Sequence, residues 1–511
     1  MRGRCLGWLA VLLPAVTAAA IVGYASRAAT QIPAADPAVL QHHKNPSRDG
    51  HYVDPAFTPA AAAQLHLDPG FHATLSGPTF AQPLFWAAVN ASDRDLLFVA
   101  TEQNEVSALD PSTGAVVWSR SLGSPVPLSQ MPCGDIDPLG VTGTPVIDPA
   151  SRTILVGAMT TPDGGITKTH IITALSIDDG SVRPGWPVDV SSVGAGAAKF
   201  DAAVQNQRGA LALLGGVVYA PYGGHAGDCG DYHGWVVGVP LGDPSALTGW
   251  ATRAARGGIW APGGVTSDGT SLYVGTGNTA QTTTWGGGEA AIRLAPGPVF
   301  SGRPADFFAP TNWRHLDRAD RDLGGSGLLF VDVPGATPSS LLVALGKDGN
   351  AYLIDPANMG GIGGSVSMHQ VAQGAIVNAP AAYTTSQGTY VVFRGAGATC
   401  PHRRRSTDLT AIKISATSPP TATVAWCARQ NGAGSPMVTT TDGASNAIVW
   451  TVGAEGDNRL RGFDGDTGRL IFAGGGLPEA MSFVRRFQTP IAARGRIFVA
   501  ADSQLYAFTT Q

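Results

Sequence analysis

A repeat of about 58 residues constrains the fold of this chain more than any other feature. Five copies are marked by a proline that follows a small or polar residue and precedes an apolar strand: Pro83, Pro145, Pro380, Pro436 and Pro490. Adjacent gaps are 62, 56 and 54 residues, and the gap of 235 residues holds four periods, so unmarked starts fall near 204, 263 and 321. The span from the first marker to the last therefore contains eight repeat starts, which predicts a repeat architecture.

A second signature follows many of these starts. It consists of an apolar strand, a turn rich in Asp, Thr and Gly, and a strand that ends in an aromatic residue. It is clearest at 108–118 and 462–472, with weaker copies at 174–180 and 352–356. Such turns join hairpin strands. Four strands in each of eight repeats predict an all-β, eight-bladed β-propeller, with seven blades as the alternative.

The composition agrees with a turn-rich β protein. The 67 glycines and 37 prolines make up about a fifth of the 511 residues, and charged residues supply only 14%. A hydrophobic content of 44% with a net charge of −4 does not match a disordered chain. A sequence pI of about 6.2 gives no basic surface for nucleic acid.

The ends of the repeat region predict how the ring closes. The last repeat, 487–508, has room for three strands, so we expect a strand near Phe71–Leu75 to complete it and to hide two strand edges. Residues 58–63 are typical of a short helix with Pro at its first position. We therefore expect an N-terminal extension with a short helix over 29–69, and a single propeller domain closed by an N-terminal strand over 70–511.

Residues 1–28 are typical of a signal peptide. Arg2 and Arg4 precede an apolar stretch from Leu6 to Ala25, and cleavage fits after Ala20 or Ala28. The apolar stretch approaches the length that spans a bilayer, so an uncleaved N-terminal anchor is the alternative. No later segment is long and apolar enough to cross a membrane. We expect an exported protein, periplasmic or secreted, and a monomer.

The remaining cysteines predict disulfide bonds. Without Cys5 there are four, Cys133, Cys229, Cys400 and Cys427, an even number in an exported chain, which allows three pairings. Cys400 and Cys427 lie in one repeat and are expected to pair, which leaves Cys133 with Cys229. The alternative is four buried free thiols.

One loop concentrates side chains of the kind that bind ligands. His225, Asp228, Asp231 and His233 lie within nine residues and could bind a metal or place an acid and a base beside a substrate. The alternative is a structured loop pinned by a disulfide to Cys133. Because the spacing fits no regular zinc pattern, we predict no metal centre here.

The geometry of a propeller gives a second set of candidates, the residues that enter the inner strands and face the channel mouth. These are Gln82, Thr144, Trp260, Asn378, Ser435 and Gln488. Most are uncharged and hydrogen-bonding, which suits a small polar ligand, and Trp260 offers a flat stacking face. The alternative is that they satisfy one another and channel water.

Two other patterns are interpreted as structural. Asp464-x-Asp466-x-Gly468 has Gly475 where a calcium loop needs its glutamate, so we interpret it as a hairpin turn. The basic run Arg403–Arg405 is interpreted as a solvated surface loop.

The repeat itself resembles a known family. Asp110-x-x-Thr113-Gly114 followed by Trp118 resembles the repeat of pyrroloquinoline-quinone (PQQ) type propellers, over roughly 45–508. More specific segments resemble exported bacterial PQQ-binding-like repeat proteins: 133–136, 143–148, 232–235, 257–260 and 346–349. The resemblance implies the eight-bladed fold of the quinoprotein dehydrogenases.

The chain also departs from those dehydrogenases. They commonly carry adjacent cysteines against the quinone, and their quinohaem relatives carry Cys-x-x-Cys-His, but this sequence has neither. The Glu, Asn and Asp that hold calcium beside the quinone cannot be placed from the sequence. We therefore expect an exported propeller that binds a protein, glycan or small ligand on one face. The alternative is a PQQ-dependent dehydrogenase with calcium, oxidising an alcohol or sugar.

Overall fold

Eight sheets follow one another along the chain, and each is a blade whose antiparallel strands run in sequence order from the inner edge outward, with N-terminal strands added to blades 7 and 8. The computed structural model describes Met1, Gly3 and residues 36–279, 282–397, 399–401, 407–476 and 479–510. The chain divides into two units, Met1–Ala34 and Ala35–Gln511, and all eight blades belong to the second. This confirms the predicted all-β, eight-bladed propeller.

Blades 1 to 4 occupy the first half of the ring. Blade 1 contains Leu84–Trp86, Leu96–Ala100, Glu105–Leu109 and Val116–Ser121, and blade 2 contains Val146–Asp148, Thr153–Thr160, Thr169–Ser176 and Val188–Asp189. Blade 3 contains Ala212–Leu214, Val217–Gly224, Trp235–Pro240 and Thr248–Ala251, and Gln205–Asn206 also pairs with its second strand. Blade 4 contains Thr266–Ser267, Leu272–Thr276, Ala290–Leu294 and Phe307–Ala309.

Blades 5 to 8 complete the ring. Blade 5 contains Leu328–Asp332, Ser340–Leu345, Asn350–Ile354 and Ser367–Gln370; blade 6 contains Ala381–Thr385, Gly388–Arg394, Leu409–Ile414 and Ala422–Ala428; blade 7 contains Met437–Thr440, Ile448–Val452, Leu460–Asp464 and Leu470–Phe472; blade 8 contains Ile491–Ala493, Arg496–Ala501 and Gln504–Thr509. Each of the five marker prolines immediately precedes an inner strand, and the three unmarked starts precede theirs by eight residues or fewer.

A few short elements lie between the blades. Gly194–Ala195 and Ala198–Lys199 form a two-stranded ribbon, and Gly361–Ile362 runs parallel to the outer strand of blade 4. The α-helices of the described residues are Pro59–Ala62, capped by the Thr58 hydroxyl, and Trp313–Arg318. Single 3₁₀ turns cover Leu128–Gln130, Val190–Ser192, Pro304–Asp306 and Leu323–Gly325. No helix in these parts of the chain is long and apolar enough to cross a bilayer.

The turn signature explains how neighbouring blades interlock. In blade 1 the Asp110 carboxylate accepts the backbone N–H groups of Ser112 and Thr113, and Gly114 supplies the positive φ of 78° that ends the turn. Trp118, at the end of the signature, donates from Nε1 to the Ile177 carbonyl of blade 2, 2.9 Å away. The aromatic residue therefore fastens its own blade to the turn of the next one.

The two N-terminal strands complete blade 8. Ala73–Thr74 and His66–Leu67 both pair antiparallel with Gln504–Thr509, its last strand in the chain. Blade 8 is thus assembled from both ends of the propeller sequence, and this strand edge does not face solvent.

Residues 38–54, the N-terminal segment, run through the central channel. The segment contacts every blade. Val39 pairs with Phe85 of blade 1, Arg48 donates to the Leu211 carbonyl beside blade 3, and Asp54 accepts from Gly495 of blade 8. Backbone carbonyls of the segment accept N–H groups from the other five blades: Leu40 from Ile147 (blade 2), Pro46 from Ser267 (blade 4), Ser47 from Phe330 (blade 5), Asp49 from Ala382 (blade 6) and Gly50 from Val438 (blade 7). Its strand His51–Val53 also runs parallel to the inner strand of blade 7. The channel is therefore filled at mid-depth by the chain itself.

Arg48 lies at the centre of this segment and is only 2% exposed. Its guanidinium donates to the carbonyls of His42, Leu211 and Val265, over 2.7 to 2.9 Å. Burial lowers the pKa of Arg48 to about 9. Carbonyl oxygens from the segment and from blades 3 and 4 therefore solvate this buried cation.

Candidate functional site

Five of the six predicted channel-mouth residues are buried and tie one blade to the next. The Gln82 N–H donates to Thr144 Oγ1 (3.0 Å), Asn378 Nδ2 to the Ala433 carbonyl (2.6 Å), Ser435 Oγ to the Phe487 carbonyl (3.1 Å), and Gln488 Nε2 to the Thr79 carbonyl (3.2 Å). None of the five is more than 3% exposed. The sixth, Trp260, is half-buried and donates to Asp322, which lines a polar pocket, so the candidate site is built from there.

Trp260 precedes the inner strand of blade 4 and points its ring nitrogen at a buried carboxylate. Its Nε1 donates to Asp322 Oδ2 at 3.2 Å. Asp322 is 1% exposed and lies just before the inner strand of blade 5. Lys347, in the 346–349 segment, places Nζ 2.7 Å from the same oxygen and 5.1 Å from the centroid of the Trp260 ring. An indole and an ammonium thus hold one oxygen of Asp322.

The other oxygen of Asp322 is held from blade 4. The backbone N–H of Asn278 donates to Asp322 Oδ1 at 2.9 Å, while Asn278 Nδ2 donates to Asp228 Oδ1 at 2.5 Å. The Tyr232 hydroxyl also donates to Asp228 Oδ1, at 2.6 Å. Asp228 and Asn278 both have positive φ, 51° and 64°, because each lies in a tight turn after the second strand of its blade. Two carboxylates and one amide therefore converge beside Trp260.

These groups share one face of the propeller. In an antiparallel blade, the loop between strands two and three lies on the same face as the connection that enters strand one. Asp228, Asn278 and Lys347 lie in loops of the first kind, and Asp322 lies in a connection of the second kind. Asp54 accepts from Gly495, in a loop between strands one and two. The N-terminal segment therefore leaves the channel on the opposite face.

The mouth pocket opens at this cluster, with a volume of about 330 Å³. It is lined by Asp228, Arg256, Asn278, Thr279, Asp317, Arg318, Asp320 and Asp322. Four carboxylates face two guanidiniums, and Lys347 bonds to two of those carboxylates, Asp320 and Asp322, each at 2.7 Å. The volume lies at the small end of the range for small-molecule sites.

Burial perturbs the ionisation of the cluster. Burial raises the pKa of Asp322, although Lys347 opposes the shift. Glu289 is fully buried nearby, and its Oε2 accepts from the Leu323 N–H at 3.0 Å. Burial, and then the charge of Asp322, raises the pKa of Glu289 well above its usual range. Carboxyl groups with raised pKa values in a pocket are typical of functional sites.

A second charged group crosses the mouth. Arg208 lies just before the inner strand of blade 3, and Phe487 lies just before blade 8. The guanidinium carbon of Arg208 is 5.7 Å from the centroid of the Phe487 ring. Asp135 bridges it to Arg486 with distances of 4.0 and 3.0 Å, and Arg486 also bonds to Glu455. Burial lowers the pKa of Arg208. Two arginines and two carboxylates therefore form a second charged cluster, balanced in sign, beside the inner strands of blades 3 and 8.

The four candidate side chains of the loop 225–233 do not form one site. Asp228 enters the mouth pocket, Asp231 is exposed, His225 is 3% exposed, and His233 bonds through Nδ1 to the Thr252 carbonyl. Burial lowers the pKa of His225 to about 3. Within the described ranges no three or more His, Cys, Asp or Glu side chains form a group that could hold a metal by themselves.

Two disulfides are present, as predicted. Cys133 is bonded to Cys229, which anchors the loop that carries Asp228, and Cys400 is bonded to Cys427 within blade 6. The basic run Arg403–Arg405 and residues 4–35 lie outside the described residues. The surface loop and the signal peptide or anchor therefore stay predictions.

Trp260 and Asp228 are candidates that the sequence also named, whereas Asn278, Asp322 and Glu289 are not. These three come from different loops, and no motif joins them. Two weak signals were available: Gly277-Asn278 is a turn dipeptide, and Asp322 lies beside the expected repeat start near 321. Lys347 belongs to a segment that the resemblance singled out.

Comparisons with known proteins agree with this fold. The family model of outer membrane protein assembly factor BamB matches residues 73–226. No curated protein matches the chain. A quinohemoprotein alcohol dehydrogenase from Pseudomonas putida HK5 is similar with a TM-score of 0.64 and 13% identity, over 93% of this chain and 80% of that chain. A europium-containing methanol dehydrogenase is similar with a TM-score of 0.62 and 12% identity, over 93% and 98%.

Identity this low establishes a shared fold, and function must be argued from the site. The matches confirm the resemblance seen in the repeat at the level of the fold: this chain has the propeller fold of PQQ-like proteins. Its fold is shared with quinoprotein dehydrogenases, and part of its sequence matches the BamB family model.

Proposed function

We propose that this propeller is a PQQ-dependent dehydrogenase that oxidises a small alcohol or sugar in the mouth pocket. The observation that carries the proposal is the convergence of Asp322 and Asn278 beside the indole of Trp260. A carboxylate, an amide and a flat ring at the channel mouth are the kinds of group that such a quinone and calcium site would need.

The donor set fits a divalent cation shared with an anionic cofactor. Asp228, Asp322 and Asn278 offer oxygen atoms of the kind that calcium takes, and hydrogen bonds link the three. The excess of carboxylates in the pocket favours a cation, and Arg256 and Arg318 provide charge for an anionic cofactor. Thr279 Oγ1 and Glu289 Oε1 are buried without a hydrogen-bond partner among the described residues. A bound ligand or water would satisfy such atoms.

Asp322 would act as the general base. Its raised pKa brings the carboxylate closer to the operating pH, which favours transfer of the substrate hydroxyl proton to it. Lys347 and Trp260 would fix the orientation of Oδ2, and Asn278 that of Oδ1. When bound, PQQ supplies the two-electron acceptor. The N-terminal segment fills the channel below, so substrate would enter from the mouth face only.

The test adds PQQ and calcium to the purified protein and follows quinone absorbance and the reduction of an artificial dye with small alcohols and sugars. We expect quinone binding that depends on calcium, and dye reduction with at least one substrate. Asp322→Asn keeps an amide oxygen for the cation, so it should still bind quinone but lose about a hundredfold or more in kcat.

The matched control is Asp243→Asn, an exposed turn residue of blade 3, which should keep full activity. Absence of both quinone binding and dye reduction across alcohols and sugars would rule out the dehydrogenase.

A second candidate is a binding or scaffold protein for a protein, glycan or small ligand. It is favoured by the match of residues 73–226 to the BamB family model. In that case the purified protein would bind no quinone, and Asp322→Asn would leave partner binding unchanged.

The setting in which the protein works is also part of the proposal. The two disulfides support function in an oxidising, exported compartment, periplasmic or secreted, in a bacterium. We propose that the protein is a monomer with residues 1–28 as its signal peptide or anchor. Mass spectrometry of the secreted chain would show whether its N-terminus follows Ala20 or Ala28.

A further inference from the structure

A second pocket, with no role in the proposed dehydrogenase, lies on the outer flank of blades 3 and 4. The aromatic pocket has a volume of about 300 Å³, and its principal walls are Trp250, Trp285, Phe300 and Arg253. It shares no lining residue with the mouth pocket. The two pockets are therefore separate sites.

The aromatic walls are held in fixed positions by their own neighbours. The Trp285 ring stacks on Phe307, with centroids 4.1 Å apart and an interplanar angle of 17°, and its Nε1 donates to the Gly288 carbonyl at 2.9 Å. Trp250, in the outer strand of blade 3, meets Phe300 edge to face at 5.9 Å. Three half-buried aromatic side chains in one recess provide flat apolar surface for a ring.

The polar side chains of the pocket are donors. The Arg253 guanidinium and the Trp250 indole supply N–H donors to the lining. The wall has no acidic side chain and no amide or hydroxyl side chain; the rest of its lining is alanine and glycine. The nearby Gly286 carbonyl already accepts from the Arg253 and Ala254 N–H groups at 2.9 and 3.0 Å. The pocket therefore complements a ligand that accepts hydrogen bonds and carries negative charge.

We propose that the aromatic pocket binds a small aromatic carboxylate, with its ring against Trp250 and Trp285 and its carboxylate on Arg253. Guanidinium–carboxylate pairs form two parallel hydrogen bonds, and this geometry gives selectivity for the anion. A sugar suits the pocket less well, because each hydroxyl also needs an acceptor and the side chains here provide none.

The test is isothermal titration of the purified full-length protein with benzoate and with its neutral isostere benzamide. Benzoate should bind saturably, and benzamide about tenfold or more weaker, since a hydrogen bond to a charged group is lost. Arg253→Gln should weaken benzoate by a similar factor and leave benzamide unchanged. Trp285→Phe, which keeps a ring stacked on Phe307, should weaken both compounds.

Arg469→Gln, an exposed arginine in a turn of blade 7, is the matched control and should bind benzoate like the unaltered protein. Lack of saturable benzoate binding would overturn the proposal, as would equal behaviour of the Arg253 and Arg469 variants. Tighter binding of glucose or galactose than of benzoate would replace it with a glycan site. None of these readouts depends on quinone or on dehydrogenase activity.

Discussion

Asp322 is the side chain on which the mouth pocket depends most. Three donors from three different loops converge on its two oxygens: the Trp260 indole, the Lys347 ammonium and the Asn278 N–H. A carboxylate that is 1% exposed needs such partners, because an isolated buried charge is strongly unfavourable. The same partners orient it for proton transfer.

Lys347→Gln should change the pH dependence of activity rather than abolish it. Lys347 opposes the effect of burial on Asp322, so removing the ammonium raises the pKa of Asp322 further. The acidic limb of the kcat/KM profile should move to higher pH, with the plateau rate reduced far less than in Asp322→Asn. Lys199→Gln, at an exposed lysine, is the control; an unshifted limb in Lys347→Gln would exclude the role of Lys347 in tuning the base.

Glu102→Gln should remove part of the pH dependence of stability. Burial raises the pKa of Glu102 from 4.5 to about 7, while its Oε2 accepts from the Gly140 N–H at 2.7 Å. The folded state therefore holds a proton that the unfolded chain releases, and stability is lost as pH rises from 4.5 through 7. The difference corresponds to about 3 kcal/mol.

Urea unfolding at pH 5 and pH 8 measures this effect. The loss of unfolding free energy at pH 8 should shrink in Glu102→Gln and persist in Glu105→Gln, a half-buried glutamate three residues further on. Equal pH dependence in the two variants would contradict the assignment.

Single residues were the hardest feature to predict from the sequence. Trp260 and Asp228 could be identified because one precedes an inner strand and the other lies in a dense polar loop. Asn278 and Asp322 are 44 residues apart and meet only because loops of neighbouring blades converge at the mouth. Conversely, Gln82 and Asn378 do enter inner strands, as expected. They form hydrogen bonds to residues of the adjacent blade, because inner strands lie close together around the channel.

At the scale of the element, the turn of one blade and the tryptophan of the previous blade form a unit. A Cβ on Gly180 would lie 2.5 Å from Trp118 Cε3, and a Cβ on Gly468 would lie 2.5 Å from Trp426 Cε3. Both glycines also have positive φ, 68° and 67°. Glycine is therefore required at this position for two reasons: the backbone has a positive φ, and the tryptophan ring leaves no room for a Cβ atom. This local chemistry explains why strands and turns could be predicted well.

Gly180→Ala should destabilise the junction of blades 1 and 2 by about 1–3 kcal/mol, because the methyl group overlaps the indole and the backbone is strained. Thermal unfolding measures the loss. Gly242→Ala is the control, because a Cβ there meets nothing within 4 Å. A Gly180→Ala protein as stable as Gly242→Ala would show that the interlock contributes nothing.

On the scale of the whole molecule, the N-terminal segment turns eight blades into one closed body. Its backbone bonds reach blades in order around the ring, so the channel has a floor and the mouth pocket opens on one face only. The period predicted the number of blades, but it could not predict this segment, which has no repeat pattern. Its polar residues, Asn45 to Gly50, are those of an ordinary loop.

Arg48→Met should test that role. The variant leaves the carbonyls of Leu211, Val265 and His42 without their donor in a dry interior, which costs about 3 kcal/mol or more. We expect a clearly lower Tm and easier unfolding in urea, whereas Arg469→Met at the surface should match the unaltered protein. An unchanged Tm in Arg48→Met would mean that the segment does not hold the blades together.

A crystal structure of the protein grown with PQQ and calcium is the most direct test of the proposed function. We expect the quinone in the mouth pocket beside Trp260, with the cation bound to oxygens of Asp228, Asn278 and Asp322. A quinone bound elsewhere, or a mouth pocket that holds neither quinone nor cation at saturating concentrations, would contradict it.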